Sequence, residues 1–171
     1  MKKFFSLFVA IVTLSQSLSA QEEPVAGRVF YTELGGPGVL MSANFDSRFK
    51  SQERLGFGYR LGVGFGYNNM GGHYSSTRTY YSFPVGLNYV LGRPNRSSSY
   101  EIGAAVTFLS RKVSLFNYDV YKPGNVIGYI TFMYRLMPVN GGFSFRAGFT
   151  PVIGTAGDLH PMVAVGFGWA F

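Results

Sequence analysis

His73-Tyr74-Ser75 places an imidazole and a hydroxyl two residues apart. Such a serine can be a nucleophile, with the histidine as its base and a carboxylate to orient the imidazole. No Asp or Glu occurs between Ser75 and Glu101. The second histidine, His160, follows Asp158 in Gly157-Asp158-Leu159-His160. Two histidines on separate segments with one nearby carboxylate make a poor metal ligand set. The sequence therefore points to no metal and no cofactor. Runs such as Gly62-Val63-Gly64-Phe65-Gly66 have the glycines of a phosphate loop but not its strand–turn–helix setting.

Seven other charged residues lie on the edges that carry most of the small residues. Glu33, Asp46, Arg48, Arg60, Glu101, Arg135 and Arg146 fall in the rows opposite the bulky edges, Arg60, Glu101 and Arg146 flanked by Gly or Ser, and Arg135 in a less clean row with Tyr129, Thr131 and Met133. That is three acids and four arginines. If this row faces inward, the charges must pair, because an unpaired buried charge is expensive. Arginine suits the task, since its planar fork can hold a carboxylate with two hydrogen bonds.

The elements that carry these residues are strands. In Leu55–Tyr67, one edge reads Leu55, Phe57, Tyr59, Leu61, Val63, Phe65, Tyr67 and the other Gly56, Gly58, Arg60, Gly62, Gly64, Gly66. A helix would mix these two sets; a strand separates them. The same period of two runs through most of the chain. It predicts eight strands, at about residues 28–35, 38–49, 55–68, 79–91, 98–110, 124–136, 141–150 and 161–171. The first is the most ambiguous. Connections alternate between short polar turns and three longer loops, one of which sets Arg111, Lys112 and Lys122 among Phe116, Tyr118 and Tyr121. Gly35–Gly38 is the exception, short where a long loop is expected.

Composition agrees. The chain has 171 residues, 47% hydrophobic and 18% aromatic, with 23 glycines, no cysteine and only 13% charged residues. An average soluble domain has about 25% charged residues. At the start, Lys2 and Lys3 precede an apolar stretch and then Ser17-Leu18-Ser19-Ala20. That is the pattern of an export signal, too short to span a bilayer. Cleavage is expected after Ala20, leaving residues 21–171 as one domain. Losing Lys2 and Lys3 lowers the formal charge of +7 by two. The modest, scattered excess suits anionic lipid surfaces rather than nucleic acid.

The two strand edges are inverted relative to a soluble sandwich. The bulky, aromatic edge has to face something apolar, and the small edge has to face inward. A closed eight-stranded antiparallel transmembrane β-barrel with a filled lumen satisfies both demands, since lipid offers no partner to an unpaired strand edge. Short turns on one side and longer loops on the other match bacterial outer-membrane barrels.

The last strand, Val163-Ala164-Val165-Gly166-Phe167-Gly168-Trp169-Ala170-Phe171, ends on a bare aromatic. It resembles the C-terminal assembly signal of outer-membrane barrels, carried here by Phe167, Trp169 and Phe171. The resemblance implies recognition by the barrel-insertion machinery and contact with outer-membrane lipid. The whole of residues 21–171 resembles the small OmpA/OmpX-type barrels. Glu33–Phe49, Phe83–Gly92 and Gly141–Pro151 resemble an uncharacterised outer-membrane barrel family of Bacteroidota. That likeness brings no known activity. The expected role is a non-enzymatic scaffold in the cell outer membrane of a Gram-negative bacterium, presenting three longer loops outward; its extracellular ligand is unknown. The His73/Ser75 element is similar to that of outer-membrane lipid A deacylases, which place their acid shortly after the serine; this chain has none there. A lipid-modifying enzyme and a narrow ion channel through the lumen arginines are the alternative functions.

Overall fold

The computed structural model describes residues 25–50, 53–69, 77–113, 124–153 and 159–171. The export signal at 1–20 lies outside the described residues, as do His73, Ser75, Asp158 and the aromatics and Lys122 of the third loop.

The elements in chain order are β1 (Arg28–Gly35), a 3-10 turn (Gly36–Gly38), β2 (Met41–Arg48), β3 (Gly56–Asn69), β4 (Thr77–Gly92), β5 (Ser98–Val113), β6 (Gly124–Leu136), β7 (Gly142–Phe149), β8 (Val152–Ile153), β9 (Leu159–His160) and β10 (Val163–Ala170). All strand pairs are antiparallel. The sheet runs β5-β4-β3-β2-β1-β10-β7-β6, and β5 pairs with β6 to close it. The ambiguous first strand pairs on both sides, Phe30 opposite Trp169 on β10 and opposite Phe45 on β2.

Four of these pieces form two staves of an eight-stave barrel. Against β6, β7 and β8 hold one register, Phe132 opposite Phe149 and Gly128 opposite Ile153. Against those two, β10 and β9 also hold one register, Val163 opposite Phe149 and His160 opposite Val152. The breaks fall at Pro151 and Pro161, which this register sets opposite each other. Neither has an N–H to give to a ladder. Thr150 N–H donating to Met162 O at 2.7 Å and Ile130 N–H donating to Pro151 O at 3.1 Å carry the sheet across the gap. Pro84 similarly interrupts the β3–β4 ladder between Leu61↔Val85 and Gly64↔Ser82, while its pairing with Thr107 on β5 continues.

The two faces are inverted, as the alternation demands. On β4, Tyr81, Phe83, Val85, Leu87, Tyr89 and Leu91 are exposed, while Tyr80, Ser82, Pro84, Asn88 and Val90 are buried. Outward aromatic residues pair across strands near the turn end, Phe57 with Tyr89 at 4.7 Å and Tyr100 with Tyr134 at 5.9 Å between ring centroids. Inside, glycine makes room for neighbours' side chains. A Cβ on Gly58 would meet the Arg48 guanidinium at 2.5 Å, and one on Gly166 would meet the Arg146 stem at 2.9 Å.

Several strand boundaries differ from the sequence expectation, and one difference has a structural cause. The second strand begins at Met41, not near residue 38, because Gly36–Gly38 leave the wall and turn into the barrel. Gly36, Pro37 and Gly38 are all buried there. Ser82 Oγ donates to Gly38 O at 2.8 Å and Thr107 Oγ1 donates to Pro37 O at 2.5 Å. The short Gly35–Gly38 connection is therefore an internal stopper at the loop end.

Candidate functional site: the filled lumen

The lumen is built in three layers. At the turn end, Arg54 reaches inward from the β2–β3 turn. Its guanidinium donates to Pro94 O at 2.8 Å, Arg96 O at 3.2 Å and Met137 O at 2.6 Å. One side chain thus ties together the β2–β3, β4–β5 and β6–β7 turns. Burial, and then the nearby Arg135 charge, lower the pKa of Arg54 below the ordinary arginine value. Ala26 and Met137 are buried beside Val29 and Tyr31 and complete this floor.

The middle layer is a chain of alternating charge. Arg48 lies 2.5 Å from Asp46, and Arg135 lies 3.1 Å from the same carboxylate. Arg135 also lies 2.8 Å from Glu101, which Arg146 approaches from its other side at 2.9 Å. Arg146 lies 3.3 Å from Glu33, and Arg60 ends the chain 3.5 Å from Glu33. Every member is buried. All seven residues singled out in the sequence stand in this one network, contributed by β1, β2, β3, β5, β6 and β7.

Neutral groups complete it. Asn88 Nδ2 donates to Asp46 at 2.5 Å, Arg48 Nη1 donates to Gly56 O at 2.9 Å, and Arg60 Nη1 donates to the Tyr31 hydroxyl at 3.1 Å. The Arg146 guanidinium also sits 4.6 Å above the Tyr31 ring. The two ends are unequal. Asp46 and Glu101 accept close, well-aligned hydrogen bonds from arginine, whereas Glu33 is held by charge alone.

The loop-end layer is apolar. Val39, Tyr80, Ala105, Leu109, Ile127, Tyr129 and Val152 pack together, with Met162 against them. Val39 stands in this cluster at φ 76° and ψ −75°. Holding a β-branched residue there costs on the order of 1–3 kcal/mol. Burying its side chain returns roughly 1.5–3 kcal/mol. The stopper is thus close to balance, and the two hydroxyl bonds from Ser82 and Thr107 tip it inward.

Arg54, Tyr31, Asn88 and Val39 escape sequence reading. Arg54 lies in a polar turn like any surface arginine, and the others carry no charge pattern. Only the unexpected brevity of Gly35–Gly38 hints at the stopper. The serine and histidine considered as a catalytic pair lie outside the described residues. Phe167, Trp169 and Phe171 all point outward and are exposed. Phe171 extends beyond β10 and exchanges backbone hydrogen bonds with Arg28, at 2.9 and 3.1 Å. Among the described residues, no group of three His, Cys, Asp or Glu side chains is placed to hold a metal ion. Comparison of the chain with protein-family models, with curated proteins and with solved structures gives no match.

Proposed function

We propose that this protein is an integral outer-membrane barrel, exported by its N-terminal segment, whose function is that of a non-enzymatic scaffold presenting its loops outward. The observation that carries this reading is the inversion of faces on a closed wall. Large apolar side chains ring the outside, and the charges are paired inside. In water such an outer face is a liability, because exposed apolar patches of this extent drive association. In a bilayer it is matched to its solvent, and closure leaves no unpaired edge along the paired part of the wall. Aromatic pairs near the turn end suit the interface, where amphipathic rings are favoured.

The likeness to OmpA/OmpX-type barrels and to the Bacteroidota barrel family is part of this proposal, as are the lipid partner and the insertion machinery that would read Phe167, Trp169 and Phe171. The scaffold role is supported by the lumen. Its charged groups are engaged with one another, in a chain that links six strands.

The test is expression of the full chain and electrophoresis of the outer-membrane fraction, boiled and unboiled. A band in that fraction whose mobility shifts on boiling supports the reading. A soluble protein without a shift contradicts it.

A further inference from the structure

Val39 is the one residue other than glycine with positive φ among the described residues. A less strained path was open to the chain. Gly36-Pro37-Gly38-Val39 suits a tight turn capping a longer hairpin, with Pro where φ is fixed and Gly where φ turns positive. In that arrangement the existing registers would carry Gly36 to Val163 and Leu40 to Gly66. Instead the tip leans in. The β1–β10 ladder stops at Gly35↔Ala164 and the β2–β3 ladder stops at Met41↔Phe65. Beyond those pairs, Gly66–Asn69 on one side and Val163 on the other have strand partners on their far sides only, among the described residues.

The wall is therefore notched where the stopper turns inward. The rim of the notch is apolar and exposed, with Leu34, Leu40, Met41, Tyr67 and Val163. Behind it lies the apolar loop-end cluster. There the Tyr129 hydroxyl is fully buried, since the residue is 1% exposed, and has no hydrogen-bond partner among the described residues. An unpartnered phenol in an apolar layer is costly to keep.

We propose that this loop-end compartment is the seat of one acyl chain of a membrane lipid, which enters sideways through the notch and takes the place of Val39. The hairpin tip is the stopper that fills the seat when no chain is present. The aliphatic and aromatic lining selects hydrocarbon, and the Tyr129 hydroxyl donates to the ester carbonyl of the same chain. Leaving the seat releases the backbone strain at Val39, which offsets the loss of its buried contacts, and the hydroxyl bonds from Ser82 and Thr107 are what the entering chain must displace. This inference rests on the membrane reading above.

The test uses the full chain in phosphatidylcholine vesicles that include phosphatidylcholine bearing a photoreactive diazirine on its acyl chain. After illumination, adducts are mapped by mass spectrometry. Adducts on the inward residues Tyr80, Leu109 or Tyr129 are expected, rising several-fold in Val39→Ala, which loses most of the buried side chain but keeps a side chain at positive φ. Adducts confined to outward residues such as Tyr67 and Val163 overturn the proposal and leave the membrane reading standing. No adduct anywhere on the wall overturns both. The unaltered chain alone decides between these results, so a Val39→Ala protein that fails to fold does not remove the test.

Discussion

Arg135 holds Asp46 and Glu101 together, 3.1 Å from one carboxylate and 2.8 Å from the other. Asp46 stands on β2 and Glu101 on β5, so a single side chain on β6 links three staves across the lumen. Removing it leaves two buried carboxylates short of their partner. Breaking a buried pair in this way costs about 3–5 kcal/mol. Arg135→Met is expected to lower the stability of the refolded barrel by that amount, read from the fraction of unboiled, faster-running band against urea. Arg135→Lys keeps the charge but cannot fork, and is expected to fall between.

The two carboxylates of the upper chain differ in worth. Glu101 accepts aligned bonds from Arg135 and Arg146 at 2.8 and 2.9 Å. Glu33 meets its arginines only at 3.3 and 3.5 Å. Hydrogen bonds to charged groups contribute about 1.5–3 kcal/mol each. Glu101→Gln is therefore expected to destabilise more than Glu33→Gln, by at least about 1 kcal/mol in the same urea titration. Equal losses would mean that distance does not rank these pairs.

The alternation made the wall legible, and the reason lies in the residues themselves. On β3, Phe57, Leu61, Val63, Phe65 and Tyr67 alternate with Gly58, Arg60, Gly62, Gly64 and Gly66, and no other element separates those sets. The lumen charges were legible for the same reason, most plainly Arg60, Glu101 and Arg146, flanked by Gly or Ser, and less plainly Arg135, whose row also holds Tyr129 and Met133. The stopper was not. Gly36 and Pro37 read as an ordinary turn, and the destination of a turn depends on Ser82 and Thr107, which are 44 and 70 residues away from the groups they bind. Arg54 was hidden likewise, because its partners are backbone carbonyls that no sequence pattern marks.

Gly58 faces Arg48 so closely that a methyl group has no room. A Cβ there would lie 2.5 Å from Arg48 Nη2 and close to the backbone of Ser47. Gly58→Ala must displace Arg48 from Asp46 or shift the strand, and overpacking of this kind costs typically about 1–3 kcal/mol. A folded barrel of reduced urea resistance is the expected outcome. Unchanged stability would mean that Arg48 moves aside without cost.

Arg54 closes the turn end through three carbonyls. Arg54→Gln keeps a donor but loses two of the contacts, and is expected to raise hydrogen exchange at the backbone amides of Asn95, Arg96 and Ser97 and of Met137, Val139, Asn140 and Gly141 while the amides of β4 and β5 stay protected. Loss of about 1–3 kcal/mol of local protection fits the cost of groups left unpaired. Exchange unchanged at both turns would show that they close without Arg54.

Trp169 gives the most direct test of the membrane reading, because it is the chain's single tryptophan and stands outward on β10, 61% exposed. The full chain is refolded into vesicles of brominated phosphatidylcholine, and its fluorescence is compared with that in unbrominated vesicles. Strong quenching, greater for bromines near the headgroup than for bromines deep in the chain, is the expected result. Fluorescence untouched by brominated lipid and quenched instead by aqueous acrylamide would mean that this wall faces water, and would contradict the reading of the barrel as a membrane protein.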